Sequence, residues 1–306
     1  MSTLDLFLDP LFRLPLLTGM AIALVLPLIG ALLLLRDEWL AALGLAHLAA
    51  ASALLGLAVG LPAVLGAPLG ALAGGAVKSL SEARGNLAYG FMILFGWSAL
   101  FLIAANTSLG ATLGHALVDG QLYFAGALEL IAALALAGLA AAALPRLVPR
   151  LMRARFFPHD ETANRLPAHR WNLSFDLLTA LAMAIGTATI GLMGAFALVL
   201  VPAWIAFRIA PGWTWTLVLC ALLGLGGYLL AYLAALALDQ PFGPVLVAVL
   251  ITLAATVEGG ARSDRPKTSS APATGALTSS GARCSRSKSP TFGASTTLKP
   301  RPVRYA

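Results

Sequence analysis

The sequence predicts an all-α fold: a polytopic transmembrane helix bundle of about eight or nine spans, with a disordered C-terminal tail. Three observations predict it. Of the 306 residues, 59% are hydrophobic and only 11% charged, whereas a soluble domain carries about 25% charged residues. That much apolar surface requires lipid as the solvent for most of it. Nearly every charge in residues 1–257 falls in a gap between long apolar runs.

A bilayer-crossing helix needs about 20 apolar residues, within a range of about 17–25. Nine runs read as candidates. Pro15–Leu35 comes first. It follows Asp5, Asp9 and Arg13 rather than the basic start of a signal peptide, so it reads as a retained span. Trp39–Gly60 begins after the charged turn Arg36–Glu38, and Leu61–Val77 ends at Lys78. Asn86–Ala105 follows Arg84, and Gln121–Ala143 precedes the most basic gap of the membrane part, Pro145–Trp171. Asn172–Leu192, Gly194–Ile209, Trp213–Leu236 and Pro241–Val257 complete the set. The third and seventh runs are short, so tilted, re-entrant or protein-covered elements are open readings for them. Gly and Ala are dense inside the runs, as in Gly66–Gly70 and Gly224–Gly227. Close helix packing explains them, with a hinge or unwound segment as the alternative.

The charges set an orientation. The gap Pro145–Trp171 holds Arg146, Arg150, Arg153, Arg155, Arg165 and Arg170. Placing it in the cytoplasm puts Arg36, Lys78, Arg84 and Arg208 on the same side, as the positive-inside rule requires. Only Arg13 of the eleven basic residues in 1–257 is left outside. The expected topology in the inner (plasma) membrane is N-terminus out, C-terminus in.

Two domains are expected: a transmembrane domain over 1–257 and a basic low-complexity cytoplasmic tail over 258–306. The first holds eleven basic and eleven acidic residues, so the whole net charge of +7 belongs to the tail. The basic balance therefore does not argue for nucleic-acid binding. The tail has no apolar period and should be disordered. Either it is solvated near anionic lipid or it binds a partner.

Motifs of enzymes are missing. Gly74–Ser79 resembles a phosphate-binding loop only superficially, because no Gly precedes Lys78 directly. The chain should not hydrolyse ATP itself, no tightly bound metal is expected, and no cofactor is expected on it. The two cysteines, Cys220 and Cys284, have no zinc-type spacing. His47 is the most informative single residue, placed about halfway through the second run. A titratable ring there is costly unless it faces the bundle interior or a wet cavity. It is either a structural hydrogen-bonding group or a lining group of a solute pathway, able to touch a soft or borderline cation. Glu129, about eight residues into the fifth run, reads as headgroup-level or interior-facing. Asp176 reads as a headgroup-level residue of the sixth. Asp160 and Glu161 precede a possible helical turn, where negative charge suits the positive end of the dipole. That segment is either a solvated connector or a docking helix.

Five stretches in order resemble the metal-transporting ABC permease family of the ZnuB type, over about residues 15–256. They are Arg36 with Leu45-Ala-His47, the Gly85–Leu100 run with Tyr89-Gly90-Phe91, the acidic segment Asp160-Glu161-Thr-Ala163, the helix Gly191–Ala203 with Gly194 and Pro202, and the turn Asp239-Gln-Pro241-Phe-Gly243-Pro244. The chain departs from the family at Leu43, where an Asp is usual, at Leu48, and near Leu166-Pro167, where a Gly is missing.

The resemblance implies a permease subunit of an ABC transporter importing a divalent metal ion, zinc first, with manganese or iron as alternatives. ATP would bind a partner subunit, a cytoplasmic ABC ATPase docked on Asp160, Glu161 and Ala163. An external metal-binding protein would deliver the cargo, and a second permease subunit, expected as a homodimer, would complete the pathway. His47, Glu129 and Asp239 are the expected path residues. Gly194, Pro202, Pro241 and Gly243 are expected as structural motif residues. Two alternatives differ in class. An ion-gradient-coupled secondary transporter should show intramembrane acids or broken helices in repeated halves, and a membrane enzyme or scaffold should show a catalytic constellation.

Overall fold

The computed structural model describes residues 10–80, 85–107, 110, 114, 117, 118, 120, 122–156 and 168–263. Among them nine long helices follow one another, with no strand. They are α1 (Pro10–Arg36), α2 (Trp39–Ala58), α3 (Ala63–Leu80), α4 (Asn86–Ala105), α5 (Ala127–Phe156), α6 (Ala168–Thr189), α7 (Leu192–Ile209), α8 (Trp213–Leu238) and α9 (Phe242–Ser263), with a 3-10 turn at Leu122–Phe124 before α5. Eight of the nine are long and apolar enough to cross a membrane. The protein is a multi-pass integral membrane protein. The exception is α6. It is long enough at 22 residues, but Asn172, Ser174, Asp176 and its threonines lower its hydropathy. The two runs that read as short both qualify, as 18-residue helices.

The fifth helix departs from the sequence reading at both ends. The basic gap was expected to begin at Pro145. Instead α5 runs for 30 residues to Phe156, with Pro145 and Pro149 inside it. Arg146, Arg150, Arg153 and Arg155 therefore stand on a helix. Proline lacks the N–H that a preceding turn would use. The Arg146 guanidinium donates to the Ala142 carbonyl at 2.6 Å, beside the Ala141 carbonyl that Pro145 leaves without its helical donor. At its other end α5 starts at Ala127, six residues later than expected, which moves Glu129 to its first turn.

α1 is the hub and packs against α5, α6, α7 and α8. Ile22, Leu26, Ile29 and Leu32 along it are fully buried. Without a hydrophobic drive in lipid, helices associate where small residues let backbones meet. Gly30 presses on the Val199 carbonyl of α7, and Gly224 of α8 on Ala23 and Pro27 of α1. Gly66, Gly70 and Gly74 form a stripe on α3 that faces Leu48, Ser52 and Ala53 of α2. These helices are continuous through their glycines, so packing, not a hinge, explains the small residues. Gly226 meets nothing within 4 Å.

One end of the bundle is closed by aromatic rings from three elements. Tyr123, Tyr228, Tyr232 and Phe242 stack with centroids 5.4–6.4 Å apart. The Tyr232 hydroxyl donates to the Phe12 carbonyl at 3.1 Å and that of Tyr228 to Pro15 and Leu16 at 3.2 and 3.3 Å. They tie α8 to the first turns of α1 around Pro15.

Candidate functional site

His47 lies in the middle of α2 and is 2% exposed. Its Nδ1 is 2.8 Å from the Leu43 carbonyl. A carbonyl only accepts, so Nδ1 carries the proton and donates. In the neutral ring Nε2 then holds a bare lone pair. No hydrogen-bond partner meets Nε2 among the described residues, yet it is not one of the fully enclosed unpartnered atoms. The imidazole lies 5.3 Å from the ring of Trp97 on α4, and Trp97 lies 5.3 Å from Phe101. Gly96 permits this crossing: a Cβ there would come within 2.7 Å of the His47 backbone carbon. Only Tyr89, Gly96 and Leu100 of α4 are buried, so His47 sits under the most open helix of the subunit. Beside it, a groove of about 630 Å³ between α2, α3 and α4 is lined by Leu48, Ser52, Gly74, Lys78, Phe95 and other apolar residues.

The other two expected path residues stand elsewhere. Glu129 is on the first turn of α5, where its Oε2 accepts from the Gly126 N–H at 2.9 Å. It caps its own helix, with its charge at the favourable end of the dipole; it is not deep in a span. Asp239 is exposed and ends α8 in the left-handed region at φ 51°. Burial pushes the Tyr123 phenol up to about 12, and the nearby Asp239 carboxylate adds to the shift. Among the described residues no hydrogen bond or ion pair joins His47, Glu129 and Asp239, and no three His, Cys, Asp or Glu side chains gather as a ligand set. Asp160, Glu161 and Ala163 lie outside the described residues. Gly194 and Gly243 meet where α7 and α9 begin, 3.7 Å from a Cβ on Gly194 to the Gly243 Cα. Pro202 is buried inside α7, and Pro241 is exposed before α9.

A cluster that the sequence reading left in separate gaps lies where α1, α3 and α6 meet. Arg36 Nη2 is 2.8 Å from Glu38 Oε2 and 3.6 Å from Asp176 Oδ1. Lys78 Nζ is 3.0 Å from Glu38 Oε2 and 2.7 Å from Asp176 Oδ1. Each cation thus bridges both carboxylates. All four side chains are at most 9% exposed. Phe175 lies under the Arg36 guanidinium, 5.1 Å from its centroid. Asp176 is thus buried between helices, and Lys78 is not in a turn but on α3. Burial alone would raise the Glu38 carboxyl, but Arg36 and Lys78 hold it below the usual carboxylate range.

The chain matches the ABC 3 transport family over residues 9–257. It belongs to that family. Two solved structures share its fold. One is PsaBC from Streptococcus pneumoniae in complex with Fab: 15% identity, TM-score 0.73, covering 83% of this chain and 94% of that one. The other is described as a metal-chelate type ABC transporter in an inward-facing conformation: 16% identity, TM-score 0.68, covering 80% and 85%. No curated protein matches the sequence.

As a member of the ABC 3 transport family the protein is a membrane permease, a transport subunit. Two further side-chain contacts join helices of this permease. Arg150 on α5 stacks over Trp171 on α6 at 3.4 Å from its centroid, at the base of the segment that joins the two helices. Arg208 on α7 pairs with Glu258 on α9 at 3.4 Å, with both side chains well exposed. A sequence signal for the buried quartet existed. Under the expected topology the ends of α1 and α3 and the starts of α2 and α6 share one membrane level. That level collects Arg36, Asp37, Glu38, Lys78, Arg170 and Asp176, and topology alone does not say which of them pair.

Proposed function

We propose that this permease is the membrane subunit of an ABC importer for a divalent metal ion, zinc first, with manganese or iron(II) as the alternatives. The observation that carries it is the Nε2 lone pair of His47, left bare by the Leu43 hydrogen bond and held under the open helix α4. A backbone carbonyl that fixes one ring nitrogen is the usual arrangement behind a metal-ligating imidazole. Two copies, as a homodimer, would enclose one pathway and bring two such imidazoles to it. A cytoplasmic ABC ATPase would grip the segment with Asp160, Glu161 and Ala163, and an external metal-binding protein would deliver the ion. The basic end of α5 and the segment after it face the cytoplasm in this reading, with the N-terminus outside and the tail of residues 258–306 inside. Asp239 and Glu129 then stand at the outer mouth. One imidazole per subunit gives the ion a shallow well. That suits a path from which the cargo must leave.

A second reading has a specific support. Leu43 stands where a carboxylate would add a second ligand, and Trp97 and Phe101 give the site an aromatic wall. Both suit a metal held in an organic chelate, and one structural neighbour is described as of the metal-chelate type.

Uptake into vesicles reconstituted with and without the ATPase subunit tests the proposal. Zinc or manganese accumulation only with ATPase and ATP supports it. Accumulation driven by an ion gradient without ATP would establish the secondary-transporter alternative instead. Uptake of the chelated metal but not the free ion would select the second reading.

A further inference from the structure

We propose that the Lys78–Asp176 pair, within the quartet with Arg36 and Glu38, transmits the movement of the loop-bearing helix α6 to the helix that carries His47. The proposal rests on the reading of this chain as an ATP-driven permease and names the residues through which its stroke passes.

Three observations on the page connect end to end. At the start of α6, Trp171 is held by Arg150, Phe175 lies against Arg36, and Asp176 meets Lys78 at 2.7 Å. Three side chains within six residues are therefore tied to other helices, directly after the segment expected to contact the ATPase. Next, α6 and α3 are in backbone contact one turn from the ion pair. A Cβ on Gly75 would lie 3.2 Å from the Asp176 carbonyl and 3.1 Å from the Ala180 Cβ, so the two helices cannot slide independently there. Finally, the Gly66–Gly70–Gly74 stripe joins α3 to α2 along Leu48 and Ser52, flanking His47 in sequence. Ser52 Oγ crosses this seam to the Ala67 carbonyl at 3.1 Å. Glu38, directly before α2, shares its Oε2 between Arg36 and Lys78. His47 is nine residues further along the same helix, about 13 Å at 1.5 Å per residue.

The quartet is suited to this task because it is neutral and its side chains are at most 9% exposed. Two cations and two anions share a buried site where each charge depends on the others. Displacing Asp176 with α6 would leave Arg36 and Lys78 to share the single carboxylate of Glu38 unless α3 followed. A packed apolar contact could relax by side-chain rearrangement, whereas a buried bridged charge ties helix to helix. A contiguous network shows only that coupling has a route, and a measurement of coupling must decide.

The experiment uses the assembled transporter in vesicles and reads three quantities: ATP hydrolysis, uptake of zinc and of manganese, and a nucleotide-dependent distance between spin labels. The labels sit on cysteines placed at exposed Arg170 on α6 and exposed Val59 just beyond α2, with Cys220 and Cys284 replaced. The variants are Asp176→Asn and the charge-keeping Asp176→Glu. For Asp176→Asn we expect at least half the normal ATP hydrolysis, uptake reduced at least tenfold, and loss of the ATP-dependent change between the labels. Asp176→Glu, which keeps the charge, should hold uptake to within about threefold of the parent. Hydrolysis and uptake falling in the same proportion, or an unchanged label response in Asp176→Asn, would overturn the proposal and leave the quartet a purely structural element. If Asp176→Glu does not assemble, the label response of Asp176→Asn decides alone. If the parent imports neither metal, the cargo reading fails, while the label response still judges the coupling independently.

Discussion

Gly96 and His47 touch through their main chains: a Cβ on Gly96 would lie 2.7 Å from both the backbone carbon and the Cβ of His47. The contact sets how closely α4 covers the imidazole and where Trp97 falls on it. Gly96→Leu should push α4 away, open the His47 ring and lower uptake at least tenfold. Overpacking at a tight contact costs about 1–3 kcal/mol, so the thermal melt in detergent should also shift down. Unchanged uptake would show that the cover of α4 is irrelevant to the path.

His47→Leu removes the lone pair while keeping an apolar side chain of similar bulk under Trp97. Uptake should fall at least tenfold with the melting temperature close to that of the parent, because the lost Nδ1 bond is local to α2. Measured together, the two readouts separate roles: a large stability loss with normal uptake would make His47 a structural residue.

Gly30 carries the crossing of α1 and α7, where any Cβ would collide with the Val199 carbonyl. Backbone cannot yield as a side-chain tip can. Gly30→Val should therefore be the most damaging of these changes and should abolish recovery of folded protein from the membrane. Recovery of normal amounts would contradict the geometry of this crossing.

The depressed Glu38 carboxyl has a sign that can be measured. A group whose folded pKa lies below its ordinary value contributes stability that is present above the ordinary value and lost as pH falls through the folded one. Detergent-solubilised protein should lose melting temperature as pH drops through and below the ordinary glutamate range, and Glu38→Gln should flatten that slope at a lower overall stability. A parent and variant with parallel pH profiles would remove Glu38 from the account.

Much of the fold was legible because lipid imposes one rule on the sequence: apolar runs long enough to cross, with charges between them. Nine helices lie where nine runs predicted them. The errors arise where a local rule met a tertiary fact. Pro145 and Pro149 read as the end of a span, yet α5 continues through both to Phe156. Glu129 read as headgroup-level or interior-facing because the run begins at Gln121; the residues before Ala127 include a short 3-10 turn and the helix starts late, which leaves Glu129 near the helix end. The quartet was hidden because its pairs lie 40 and 98 residues apart, and hydropathy treats each charge as a boundary. His47 was legible as an anomaly in an apolar run; its tautomer and its place beneath Trp97 were not, since both depend on α2 crossing α4.

The central claim is that the segment between α5 and α6 lies in the cytoplasm, where an ATPase can reach it. A single cysteine at Arg170, with Cys220 and Cys284 replaced, reads this directly with a membrane-impermeant maleimide. The account predicts labelling only after the cells are permeabilised. Labelling of intact cells would place that segment outside and contradict it.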